Sequence, residues 1–247
     1  MIIKQRRTVK KRSLFMLLSR PAWAGLGLIA VSGCAVIAQT GSEPAQWRLV
    51  AATLVDEPDG SGGFSGTPVI VRLVDTRAAS AIDRRDMAYS RAPQSIGYYR
   101  DNRWASSPAV MLNEVIDETL SAQPWVRGIV RGGARITTDL ALYCEIERLE
   151  HQVDGASGYA QLKVGCSWYR GDGQALLDTL RFDQSVALKR NDARYYAAAI
   201  QELVDDLLKA LNRQGRALAT GKSGPQESRL TAPAARTAAL SAYSLGR

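Results

Sequence analysis

The sequence predicts an α/β fold, a single domain in which a mixed β-sheet is flanked by two amphipathic helices. Two segments carry apolar residues at helical spacing, and several shorter segments alternate or are rich in β-branched and aromatic residues. A helix with one apolar face needs another element to cover that face, and a sheet meets this need. Residues 47–213 are numerous enough for one hydrophobic core.

The two helices are predicted from their start signals and apolar stripes. Ser107 is suited to an N-cap and Pro108 to the first helical position. The second helix is predicted to begin after Asn191 or Asp192. The stripes comprise Met111, Leu112, Val115, Ile116 and Leu120 in the first helix, and Tyr196, Ile200, Leu203, Leu207 and Leu211 in the second. Each helix therefore has one face for the core.

The strands are predicted from alternation and β-branched content. The predicted segments are 47–55, 67–74, 87–90, 95–99, 124–130, 137–150, 158–169 and 175–186. The clearest hairpin joins 137–150 to 158–169, because both arms alternate and a turn-forming run with Asp154 and Gly155 lies between them.

This hairpin predicts that Cys144 and Cys166 lie directly opposite each other, since both are equally distant from Gly155. An oxidising compartment would permit a disulfide between them. Two buried thiols that behave as small apolar side chains are the alternative. The only histidine of the chain, His151, falls beside the turn, where we expect it to be exposed.

The charge distribution argues against a nucleic-acid-binding protein. The chain has 32 Lys and Arg against 24 Asp and Glu, a net charge of +8. Seven of the basic residues precede Cys34, and no acidic residue does. The range 214–247 adds five basic residues and one acid, which leaves residues 34–213 with 20 basic and 23 acidic residues. The predicted domain therefore offers no net positive charge for a phosphate backbone.

The N-terminus predicts an export signal that ends in a lipidated cysteine. A basic segment precedes an apolar run, which is about half the roughly 20 residues that span a bilayer. The run ends in Val31-Ser32-Gly33-Cys34, which resembles the lipobox of bacterial lipoproteins. An ordinary secretory signal cleaved elsewhere is the alternative. Ala35 follows the cysteine, and the absence of Asp there favours the outer membrane over the inner.

These signals divide the chain into four parts. Residues 1–33 are predicted to be a lipoprotein signal peptide and residues 34–46 a lipidated tether. Residues 47–213 form the predicted domain, with a flexible Gly- and Ser-rich loop at 59–66. Residues 214–247 lack a sustained apolar period and are predicted to be a disordered basic tail.

The sequence contains no positive argument for an enzyme. With one histidine, a zinc site with several histidine ligands is excluded, and Ser-His-Asp catalysis would have to use His151. No P-loop, G-x-G-x-x-G or G-x-S-x-G motif occurs. Glu145 and Glu147 occupy alternate strand positions and are expected on a solvated face. We therefore predict no catalytic residues, no metal and no cofactor.

One block of sequence resembles a known family. Met87-Ala88-Tyr89-Ser90-Arg91 is followed by Ile96-Gly97-Tyr98-Tyr99, then Asn102-Arg103-Trp104-Ala105 and Pro108. This pattern resembles the ABC-type transport auxiliary lipoproteins, which include PqiC-like proteins, and the resemblance spans roughly 67–211. The family often has Glu-Pro after Trp-Ala, whereas this chain has Ser106-Ser107-Pro108.

The resemblance implies a three-layer α/β/α-like fold and an accessory, non-catalytic role in an ABC system that moves lipids between membranes. It implies, as partners, the membrane through an N-terminal lipid, a mammalian-cell-entry-domain protein, and an ABC permease and ATPase. Tyr98, Tyr99, Arg103 and Trp104 form the candidate partner surface, since aromatic residues and arginines dominate interface hot spots. Structural roles for Arg103 and Trp104 at a sheet edge are the alternative. A lipoprotein that itself carries a lipid or other amphiphile is the alternative function.

Overall fold

The scaffold of the molecule is one β-sheet, to which the described residues contribute ten strands. A computed structural model of the chain describes residues 43–54, 64–133, 135–171, 173–221 and 226–231. The strands are β1 (Ala45–Trp47), β2 (Val69–Leu73), β3 (Arg77–Ala78), β4 (Asp86–Ser90), β5 (Gly97–Trp104), β6 (Val126–Arg131), β7 (Leu140–Asp154), β8 (Ser157–Arg170), β9 (Leu176–Ala187) and β10 (Gln226–Thr231). The helices are α1 (Pro108–Ser121) and α2 (Ala193–Ala219).

The long strand β7 organises this sheet. On one side it pairs antiparallel with β8 along its length. On the other side it pairs in parallel with three short strands in succession, β2, β3 and β4. Among the described strands the main order is β1-β5-β4-β7-β8-β9-β10. Off this path, β2 and β3 each pair with β7, and β6 pairs with β2. The sheet is therefore mixed, and the predicted α/β fold with two helices is confirmed.

Both helices cover the same face of the sheet. Helix α1 contacts β3, β6 and β7, helix α2 contacts β8 and β9, and the two helices contact each other. The opposite face is polar, and Lys163 Nζ lies 2.6 Å from a carboxylate oxygen of Glu147 there. Within the described residues the fold thus has two layers, not the three that the family resemblance implied. A solvated, charged face needs no second layer of helices.

The helix starts follow the predicted signals, with one difference between them. Pro108 begins α1 after the extended Ser107, whose side chain makes no capping hydrogen bond. Asp192 caps α2, since its carboxylate accepts a hydrogen bond from the backbone N–H of Tyr195 at 3.1 Å. Of the two residues that the sequence left open for this cap, the structure therefore uses Asp192.

The strand predicted at 47–55 is wrong for most of its length, because β1 ends at Trp47. Past this point Val50 bonds to the side chain of Gln201 on α2, which accepts from the Val50 N–H and donates to the Val50 carbonyl, both at 2.9 Å. The helix side chain thus replaces the strand partner that the segment would otherwise need. Residues 55–63, with most of the predicted loop at 59–66, lie outside the described residues.

The predicted start of the disordered tail at residue 214 is also wrong. Helix α2 continues to Ala219, and the backbone of β10 pairs in parallel with β9. The reason is tertiary: the ring of Trp125 packs so closely against Gly215 that a Cβ added there would lie 2.3 Å from it. Residues 232–247, together with the predicted signal peptide 1–33 and Cys34, lie outside the described residues.

Candidate functional site

The four residues of the predicted partner surface lie on β5, but they do not share one surface. The side chain of Trp104 is in the core, with 1% of its surface exposed, and its ring centroid lies 5.8 Å from that of Tyr196 on α2. It therefore cannot be a contact residue for a partner in this structure. The Nε atom of Arg103 is buried and has no hydrogen-bond acceptor within the described residues.

The two neighbouring tyrosines point to opposite faces of the sheet, as successive strand residues do. Tyr98 contacts the loop that precedes β4. The Tyr98 hydroxyl donates a hydrogen bond to the Ala81 carbonyl at 2.9 Å, and the Arg84 guanidinium lies 4.4 Å from the Tyr98 ring centroid. Arg84 also forms an ion pair with Asp86 at 2.6 Å. The Tyr98–Arg84 pair is thus separate from Tyr99.

Tyr99 lies on the helix side, together with Tyr89 and Arg91. The rings of Tyr89 and Tyr99 meet edge to face, with centroids 5.5 Å apart. The Arg91 guanidinium lies 5.4 Å from the Tyr89 ring centroid, within the range of a cation–π contact. Gly97 on β5 lies beneath the Tyr89 ring, where a Cβ atom would approach to 2.7 Å. These three residues, half-buried or exposed, are named here the Tyr89–Tyr99–Arg91 group.

Beneath this group lies His151, and its predicted exposure is wrong, because its side chain is fully buried. The reason is a β-bulge between Ile146 and Arg148 in β7. Glu147 and Arg148 are both exposed, so the alternation shifts by one position and His151 faces the helices. In this register His151 pairs with Ala160.

Both ring nitrogens of His151 have hydrogen-bond partners. Nδ1 lies 2.6 Å from the Tyr99 hydroxyl, and Nε2 lies 3.1 Å from Oδ1 of Asn191. The Asn191 amide nitrogen donates to the carbonyls of Gly155 and Ser157, so its oxygen must face the ring. An amide oxygen accepts only, which places the proton of the neutral imidazole on Nε2 and makes Nδ1 the acceptor from Tyr99.

Burial determines the charge state of this cluster. Desolvation lowers the pKa of His151, against the opposing effects of the Asn191 hydrogen bond and the negative charge of Asp192. Burial, with smaller effects of Asp192 and Tyr89, raises the pKa of Tyr99 to about 12. The imidazole is therefore neutral at neutral pH. Its two nitrogens bond to Tyr99 and Asn191, so the buried imidazole holds the Tyr99 hydroxyl in place.

The sequence pattern named only part of this site. Tyr89 and Arg91 lie inside the block that carries the family resemblance, but nothing in the pattern marked them as a contact pair. Asn191 was marked only as a helix cap, and Arg84 had no signal. Among the described residues, no cluster of three or more His, Cys, Asp or Glu side chains is arranged to hold a metal ion. No helix in this part of the chain combines the length and apolarity that a membrane span requires.

Comparison with protein families identifies a family that matches most of the domain. The family described as the ABC-type transport auxiliary lipoprotein component matches residues 53–212, which include every residue of the cluster described above. A search of curated proteins finds no match.

Two solved structures share the fold. A protein from Xanthomonas campestris aligns with a TM-score of 0.62 at 17% identity, covering 72% of this chain and 97% of that one. An uncharacterised protein aligns with a TM-score of 0.53 at 12% identity, covering 70% of this chain and 98% of that one. At these identities the likeness concerns the fold alone.

Proposed function

This chain belongs to the family of ABC-type transport auxiliary lipoprotein components, and we propose that it serves a lipid transport system of the mammalian-cell-entry type as a non-catalytic, lipid-anchored component. The family match over residues 53–212 is the observation that carries this proposal. Its partners in this proposal are a mammalian-cell-entry-domain protein and the permease and ATPase of the ABC system.

The anchor of the proposal is a lipid on Cys34, attached after removal of residues 1–33. A fully extended polypeptide spans about 3.5 Å per residue. Residues 34–44 can therefore separate β1 from the membrane by no more than about 40 Å. β1 pairs in parallel with β5, the strand that carries Tyr99. In this proposal the tether therefore enters the sheet beside the strand that carries Tyr99. We assign the anchoring membrane to the periplasmic leaflet of the outer membrane because Ala35 follows Cys34.

The Tyr89–Tyr99–Arg91 group is the partner surface in this proposal. Tyrosine and arginine are enriched among the residues that contribute most to protein interfaces. Tyrosine buries a large, rigid area at a low cost in side-chain entropy, and arginine adds a charged group with several hydrogen-bond donors. The buried cluster beneath holds Tyr99 through its hydroxyl, which supports a surface that is ordered before a partner binds. Tyr98 and Arg84 form a similar tyrosine–arginine pair on the opposite face of the sheet, so a variant of Arg84 can serve as a control.

The anchor is tested first, by intact mass of the mature protein from a membrane fraction, with and without Cys34→Ala. The expected wild-type mass begins at Cys34 and carries acyl chains, and the variant is unacylated. A soluble, unacylated wild-type product cleaved at another position would reject the lipoprotein anchor.

The partner surface is tested by affinity purification from membranes followed by identification of the associated transport proteins. Arg91→Glu should abolish recovery of the mammalian-cell-entry-domain protein, because it reverses the positive charge of the proposed surface. Arg84→Glu is the matched control, since Arg84 also stacks on a tyrosine but on the opposite face. Equal recovery with both variants would remove the Tyr89–Tyr99–Arg91 group from the proposal while leaving the anchor intact.

A further inference from the structure

A cavity of about 860 Å³ opens at one end of the sheet. None of its lining residues belongs to the Tyr89–Tyr99–Arg91 group. The cavity lies where β7 begins, β8 ends and α2 ends. The lining residues that the argument uses are Arg135, Ile136, Asp139, Arg170, Leu177 and Leu218. Its volume is within the range of about 300–1,000 Å³ found for small-molecule sites.

The wall of this cavity is apolar where it meets the core. Leu177 and Leu218 are half-buried and pack against the core cluster. Ile136 at the rim keeps 51% of its surface exposed, one of the larger exposed apolar side chains of the described residues. Arg72 holds this rim in place, since its guanidinium donates to the Ile136 carbonyl at 2.7 Å. An apolar ligand could cover the exposed Ile136 surface and the half-buried leucines.

The acidic group of the cavity has a hydrogen-bond partner, whereas two of its arginines have no ion-pair partner among the described residues. Asp139 is engaged, because one of its carboxylate oxygens accepts a hydrogen bond from the Ile70 N–H at 2.7 Å. Arg135 and Arg170 are both exposed and have no ion-pair partner among the residues that the structure describes. Two guanidinium groups beside an apolar wall are complementary to an anionic head group joined to a hydrocarbon chain.

We propose that this cavity binds one long-chain fatty acid, with its acyl chain against Leu177 and Leu218 and its carboxylate between Arg135 and Arg170. Arginine suits the carboxylate because its planar guanidinium donates two parallel hydrogen bonds. This inference goes beyond the transport role proposed above, because a component that only bridges partners needs no ligand site. Binding of a fatty acid in this cavity requires neither the transport proteins nor the Tyr89–Tyr99–Arg91 group.

Photolabelling in membranes that contain the full chain tests the site. The probe is palmitate with a diazirine in its chain, and the readout is the labelled peptide. We expect adducts in peptides that contain Leu177 or Leu218. The double variant Arg135→Glu/Arg170→Glu should reduce this labelling by about tenfold or more, because it replaces two charge-assisted pairs with repulsion. The control is Arg84→Glu/Arg100→Glu, two exposed arginines elsewhere, with wild-type labelling expected.

A second probe separates head-group recognition from general affinity for hydrocarbon. The methyl ester of the same palmitate lacks the negative charge and should label the wild type as weakly as the acid labels the double variant. Equal labelling by acid and ester, unchanged labelling in the double variant, or adducts from a diazirine phospholipid alone would overturn the proposal. Thermal unfolding of each variant establishes that the fold is retained. The labelling is read without the transport proteins, so loss of their co-purification leaves this result unaffected.

Discussion

At the scale of single residues, His151 shows how burial defines a chemical state. The bulge at Glu147 turns the imidazole into the core, where Asn191 and Tyr99 satisfy both of its nitrogens. Among ionisable groups, Asp192 raises the pKa of His151 through its negative charge, whereas the Tyr99 hydroxyl, whose own pKa is raised to about 12, is neutral at neutral pH. Desolvation has the largest effect and lowers the pKa of His151.

The titration of His151 follows from this. Its pKa in the folded state is below the unfolded value of about 6.5, so the unfolded chain binds the proton at a higher pH. The contribution of His151 to the free energy of unfolding is therefore complete above about pH 6.5 and is lost as the pH falls through the lowered folded value. Because the chain has one histidine, a single imidazole NMR signal reports this pKa. A folded pKa at or above about 6.5 would contradict the argument.

Replacing the hydrogen-bond partner of His151, Asn191, by the isosteric Asp should raise the pKa of the imidazole, opposite to the effect of burial. Asn191→Asp places a carboxylate 3.1 Å from Nε2 in the wild-type geometry, and this charge should raise the pKa of His151. The same NMR titration measures the change. Asp101→Asn, at an exposed position on β5, is the control and should leave the imidazole signal unchanged.

A second residue-scale prediction concerns Gly158 on β8. A Cβ at this position would lie 2.3 Å from Asn191 Oδ1, 2.7 Å from the Gln152 carbonyl oxygen and 2.7 Å from His151 Nε2. Gly158→Ala should therefore lower the free energy of unfolding by about 1–3 kcal/mol, since backbone and buried polar groups must move. Gly165→Ala, on the same strand with its closest contact at 3.6 Å, is the control. Equal losses in chemical denaturation would show that the close approach is unimportant.

At the scale of elements, the β7–β8 hairpin connects register with covalent chemistry. The structure pairs Cys144 with Cys166 and joins their sulfur atoms in a disulfide. Near the turn the strand register differs by one residue from the prediction, because His151 pairs with Ala160 and not with Tyr159. The bulge compensates for this difference before the cysteines are reached, so that the two cysteines still face each other.

The disulfide leads to a prediction about stability. Cys144→Ala/Cys166→Ala should lower the free energy of unfolding by about 3 kcal/mol, because the bond closes a chain segment with a sequence separation of 22. Chemical denaturation with and without reductant measures this. Both residues are buried, so reduction should require unfolding. Alkylation of two free thiols in denatured, unreduced protein would show instead that the cysteines are small apolar core residues.

At the scale of the whole molecule, the two proposed sites lie at different places on one sheet that has two helices on one face. The Tyr89–Tyr99–Arg91 group lies at β4 and β5. The cavity lies where β7 begins, β8 ends and α2 ends. The end of α2 contributes to the core as well as to the cavity: Gly215 receives the Trp125 ring, and Gln214 donates to the Thr179 carbonyl on β9. Residues 214–219 and the strand β10 are thus part of the domain.

Truncation tests that statement. A chain ending at Arg213 should lose on the order of 3 kcal/mol of stability, because it uncovers the Trp125 ring and removes the β10 pairing. A chain ending at Thr231 keeps every contact named here and should unfold like the full chain. Thermal unfolding compares the two, and an Arg213 truncation as stable as the full chain would return the boundary to residue 213.

The sequence by itself determined the class of the fold, the start of α1, the apolar stripes of both helices and the hairpin. These features depend on local periodicity and caps, which each segment carries in its own residues. It placed Cys144 opposite Cys166 by parity, and the block at 87–108 indicated the family that matches residues 53–212.

Tertiary structure decided the side-chain contacts that the sequence did not predict. The bulge that buries His151 has no local signature, because Glu147 and Arg148 resemble any exposed pair. The separation of Tyr98 from Tyr99, the burial of Trp104 against Tyr196, and the continuation of α2 beneath Trp125 all depend on residues distant in sequence. Burial is a property of the assembled core, where long-range packing outweighs local preference, and a single strand or helix does not contain that information.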